Sequence, residues 1–144
     1  MNYFGQFDHA IDEDGKNKGI FLIYSHYPIF IGLIMVTVSM SFLVNPEAHH
    51  LFATSFFYMG IGLFQAAILA NGYFNKSYLK YDKVYYGLQA GMLLIGLVLS
   101  LLFSANPTIV ITIATVMTLA MEVHFIHFYM TQIKKYTTPN WDLY

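Results

Sequence analysis

The chain has 144 residues, of which 57% are hydrophobic and only 10% charged, with a formal net charge of −1. Soluble domains carry about a quarter charged residues, so the composition points to a membrane protein. Its basic residues are seven lysines without a cluster, which leaves nothing to follow a nucleic-acid backbone, and the lack of cysteine excludes thiol redox chemistry and disulfides.

Met1 to Gly19 reads as a polar lead-in without the apolar core of a cleavable signal peptide; only Tyr3 and Phe4 look suited to an apolar contact. The first span, 20–44, has no Lys, Arg, Asp or Glu. About 25 residues at roughly 1.5 Å each give about 38 Å, enough to cross a hydrocarbon core of about 30 Å with tilt. Within it Pro28 removes a backbone donor and crowds the carbonyl of Tyr24, so a kink is expected there. His26 and Ser25 sit at that turn. They either satisfy the freed carbonyl or place a titratable group at a deformable point, and both readings stand.

Asn45 to His50 is a short turn without lysine, followed by a second span, 51–71. Gly62, Ala66 and Ala70 recur every fourth residue, a strip that suits close helix approach, and Gln65 is the only amide in the apolar interior of this span. The loop from Gly72 to Lys83 mixes lysines with tyrosines, a composition suited to the headgroup layer. The third span, 84–104, opens with Gly87-x-x-x-Gly91 and carries Gln89. Pro107 suits the first turn of the fourth span, 108–131, where Thr112, Thr115 and Thr118 are inexpensive and Glu122, His124 and His127 are not. The tail from Gln132 to Tyr144 is polar.

The expected fold is all-α, an integral membrane bundle of four transmembrane helices forming one module over residues 1–144. Every lysine lies in the lead-in, in the loop between spans two and three, or after span four. By the positive-inside rule both termini are then cytoplasmic. With that orientation Glu122 lies about 12–14 Å from the cytoplasmic end of its helix, His127 about 5 Å, His26 and Gln65 about 9 Å, and Gln89 about 7 Å. Glu122, His26, Gln65, Gln89 and His127 therefore define a candidate polar pocket in one depth band, with the kink at Pro28 beside it. Helical angles put Thr115, Thr118, Glu122 and Tyr129 on one face and His124 and His127 on the opposite one. Glu122 is expected to point inward, as a protonated structural acid, a proton or cation site, or an interface group. Gly62, Ala66, Ala70, Gly87 and Gly91 are the expected helix-packing residues.

Glu122-x-His124-x-x-His127 has the look of a metal motif, but its glutamate falls on the wrong face; Glu47, His49 and His50 read as a solvated turn. No nucleophile–base pair or phosphate-binding loop is found, so no catalytic role, metal or cofactor is expected.

Tyr3-Phe4, the polar loop, and Tyr24-Ser25-His26-Tyr27-Pro28 followed by Ile29-Phe30-Ile31-Gly32 together resemble the C-terminal half of bacterial low-temperature-requirement A proteins. The resemblance covers roughly Tyr3 to Val44, with the later spans similar in hydropathy. It implies a larger multi-span parent, a missing N-terminal half or an oligomeric partner within the lipid bilayer, and a role in growth at low temperature. Two functions follow as expectations. One is proton- or solute-linked transport through the cytoplasmic-side polar pocket. The other is a structural membrane subunit with no ligand of its own.

Overall fold

The computed structural model describes residues 18–75 and 77–137. The start of the lead-in, with Tyr3 and Phe4, and the chain beyond Thr137 lie outside them. The fold is all-helical: α1 (Lys18–Val44), α2 (His50–Asn71), two short 3-10 turns (Gly72–Phe74 and Ser77–Leu79), α3 (Lys83–Leu102) and α4 (Pro107–Thr137). All four long helices are long and apolar enough to cross a membrane. Much of their surface is apolar and uncovered by protein, including Ile23, Phe30 and Ile34 on α1 and Val116, Leu119 and Val123 on α4. Such a surface is stable only where the solvent is itself apolar, so the chain is a multi-pass membrane protein.

The helix boundaries follow local chemistry. At the start of α3 the Asp82 carboxylate accepts the Tyr85 backbone N–H at 2.7 Å. At the start of α4 the Asn106 side chain accepts the Ile109 N–H at 3.3 Å, with Pro107 next to it. Each side chain satisfies one of the amide donors that a first helical turn leaves open. The third helix stops at Leu102 rather than at 104, and the fourth continues to Thr137, past the expected end at 131. The last turn of α4 holds Lys134 and Lys135, cations that stabilise a helix C-terminus and let it continue beyond the apolar stretch. Helix α1 runs unbroken past Pro28.

α1 packs mainly along α2. Where they cross, Gly32 and Gly60 let the two backbones touch. A methyl group on Gly32 would meet the Phe64 nitrogen at 2.8 Å and the Gly60 carbonyl oxygen at 2.9 Å, and one on Gly60 would meet the Val36 nitrogen at 2.9 Å. This is small-residue packing, in which close approach replaces the hydrophobic drive that lipid removes. The expected strip behaves differently. Gly62 stands 3.4 Å from Leu93 by the same measure, Gly87 and Gly91 have nothing within 4 Å, and Ala66 and Ala70 are exposed. Gly62 thus makes an ordinary contact with α3, while Ala66, Ala70, Gly87 and Gly91 face open space. The strip motif marks where approach is allowed, and Gly32 and Gly60 are where it happens.

The main core joins Leu43, Ala53, Phe57, Tyr58, Val110 and Ala114. A second cluster gathers Tyr81, Tyr85 and Phe125 at the other end of the bundle. Along α4 the buried stripe is Val110, Ala114, Met121 and Phe125. This is the face that positions the polar site.

Candidate functional site

The site is built around Gln89, which has no exposed surface. Its Oε1 accepts from Gln65 Nε2 at 3.3 Å, joining α3 to α2. Its Nε2 faces the Tyr85 hydroxyl at 3.1 Å and the Met121 carbonyl oxygen at 3.3 Å. The same nitrogen lies 3.5 Å from His124 Nδ1. One carboxamide thus ties together three helices. An amide offers two N–H donors and two acceptor lone pairs, so Gln89 is close to fully used.

Sequence reasoning placed Gln65 and Gln89 at similar depth, and they are in contact. Asn71 and Lys83, at the adjoining helix ends, are each six residues from their glutamine, or about 9 Å along the axis. Tyr85 was not anticipated as a member. It is 2% exposed and is sandwiched between Tyr81 and His124. The ring centroids lie 4.4 Å apart with Tyr81 and 4.9 Å apart with His124, at interplanar angles of 9° and 18°. The available signal was its spacing, since Tyr85 stands one helical turn before Gln89 on the same face. Tyr81 reaches this stack by lying across Gly72, where any Cβ would collide with its ring.

Glu122 and His124 are arranged differently from expectation. Taking the axis between Met121 and Phe125 as inward, Glu122 lies roughly 80° to one side and His124 roughly 80° to the other. Both flank the buried stripe and both are half-buried. His124 belongs to the Gln89 cluster. Glu122 Oε2 is buried without a hydrogen-bond partner. The polar face of α4 was read as inward, but the inward face is the one whose small and apolar side chains fit α3.

His26 and His127 turn away from this cluster. His26 lines an outward groove with Ile23, Tyr27 and Phe30 on α1, and His127 is exposed in a groove on α4. Among the described residues no group of three or more His, Cys, Asp or Glu comes together. Further buried polar groups lie elsewhere. Tyr58 and Ser100 share a 2.8 Å hydrogen bond between α2 and α3. Asn71 is 1% exposed, with both side-chain polar atoms unpartnered.

The arrangement is therefore a buried amide pair and an aromatic stack, with one carboxyl at its edge, inside a helical membrane bundle. Residues 1–121 match the family described as bacterial low temperature requirement A protein (LtrA), and the chain belongs to that family. Comparisons with curated proteins and with solved structures found no match.

Proposed function

We propose that this chain is a low-temperature growth factor of the membrane, with both termini cytoplasmic, and that it works through a proton- or cation-accepting carboxyl at Glu122. The observation that carries the reading is the Glu122 Oε2 atom, buried within a membrane-spanning helix with no hydrogen-bond partner. An ionisable group inside a span is costly, and an unsatisfied oxygen there is a place for a proton or a bound cation. Family membership supports the low-temperature setting, and the lysine distribution supports the orientation. The reaction class is transfer or sensing across the cytoplasmic half of the bilayer, with no bond chemistry.

A second reading, a structural subunit that packs with a partner, is favoured by the open small-residue strip of Ala66, Ala70, Gly87 and Gly91. Glu122→Gln separates the two. Glutamine keeps the size and hydrogen bonding of a protonated acid but cannot ionise. In a cold-sensitive deletion strain the variant should accumulate and fold normally yet fail to restore growth at low temperature. Full cold growth with Glu122→Gln would sink the ionisable-site reading and leave the assembly reading standing.

A further inference from the structure

The groove on α4 offers a chemistry that the buried cluster does not use. It holds about 320 Å³ and is lined by His124, His127, Phe128, Thr131 and Gln132. Its level in the bilayer follows from the bundle itself. His124 stands beside Gln89, which is about 9 Å from the cluster-side end of α3, whereas α4 runs on for about 20 Å beyond His124. The last turns of α4 thus overhang the ends of α2 and α3 by about 10 Å, and the groove straddles that level. From Pro107, about 30 Å of helix reaches roughly His127, so the groove straddles the level where the hydrocarbon ends. This holds whichever side of the membrane that end faces.

His124 links the groove to the buried cluster. Its Nδ1 edge lies 3.5 Å from Gln89 Nε2, whose two N–H groups point at the nearer Tyr85 hydroxyl and Met121 carbonyl oxygen, and the ring also lines the groove. The Thr131 hydroxyl is spent on the His127 carbonyl oxygen at 2.8 Å and keeps its lone pairs. His127 and the Gln132 amide supply N–H donors, Phe128 supplies an apolar wall, and Lys134 and Lys135 follow in the last turn of the helix. Among the described residues no carboxylate lines the groove; Glu122 lies on the opposite flank of the buried stripe.

We propose that this groove binds the phosphate of an anionic membrane phospholipid, with the acyl chains lying along Phe128 and the apolar flank of α4. His127 and Gln132 lie toward headgroup depth, the exposed Lys135 is cationic in the adjoining turn, and the bilayer presents phosphodiesters there at high local concentration. The proposal is independent of the carboxyl reading, and its test reads lipid rather than growth.

Native mass spectrometry of the purified chain in detergent, titrated with phosphatidylglycerol or phosphatidylcholine, reads it directly. The wild type should retain phosphatidylglycerol in preference to phosphatidylcholine. His127→Ala with Gln132→Ala, at positions outside the buried core, should lower that retention by about five-fold or more, as expected for loss of donors to a charged group. Circular dichroism of the double variant should match the wild type. Equal retention of the two lipids, or unchanged retention by a folded double variant, would overturn the proposal. Displacement of the bound lipid by millimolar inorganic phosphate would also overturn it, by showing a free-anion site in place of a lipid site.

Discussion

Gln89 holds more of this molecule together than any charged residue does. Its amide reaches Gln65, Tyr85, Met121 and His124, so removing it strands several polar groups at once. Interhelical hydrogen bonds in membranes average only about 0.6 kcal/mol, because the unfolded helices also find partners in lipid. Leaving buried groups unsatisfied costs more, about 1–3 kcal/mol. Gln89→Leu should therefore lower unfolding stability in a detergent titration by about 1–3 kcal/mol. Tyr58→Phe strands only the Ser100 hydroxyl, which can turn to a backbone carbonyl one helical turn back, so it should cost less, about 0.6 kcal/mol. Equal losses for the two variants would mean that the Gln89 cluster is no more than a set of independent bonds.

Each helix shows where pattern reading succeeds. Length and hydropathy are properties of a segment alone, so the existence of all four helices was legible, and so was Pro107 at the start of α4. Facing is a property of pairs. The strip Gly87-x-x-x-Gly91 has the same spacing whether or not a neighbour is present, whereas Gly32 and Gly60 are single small residues on different helices with no motif between them. The same limit hid the place of His124. Nothing along α4 tells that Met121 and Phe125, not the threonine face, meet α3. The contrast can be measured. Gly60→Ala puts a methyl against backbone atoms at 2.9 and 3.0 Å and should destabilise by about 1–3 kcal/mol. Gly91→Ala enters open space, and alanine favours helix, so it should be neutral or slightly stabilising. If Gly91→Ala were the more damaging, the crossing of α1 and α2 would not be the tight contact described.

At the scale of the whole molecule, the polar groups that the sequence put in one depth band do not share one direction. Gln65 and Gln89 meet at the centre, Glu122 and His124 flank them, and His26 and His127 look outward. Depth could be counted along each helix from its lysine-bearing end, while direction required the assembled bundle. The proposed orientation places that level in the cytoplasmic half and makes a simple demand. Single cysteines at Ala48 and Ala105 should react with an impermeant maleimide added to intact cells, and one at Ser77 should be protected. Labelling at Ser77 with protection at Ala48 would reverse the topology.

The meeting of Gly32 and Gly60 also bears on how the molecule is made. Those residues are close in sequence as well as in space, so the α1–α2 hairpin contains everything its crossing needs before α3 and α4 have been synthesised. Contacts that close short loops form early, and chains fold in the order in which they emerge. The first hairpin is therefore ready to serve as a template on the insertion machinery, against which the later helices settle around Gln89. A fault at Gly60 would act at that moment, and a cell would register it as missing protein, cleared during biogenesis, before any change in what the finished bundle does.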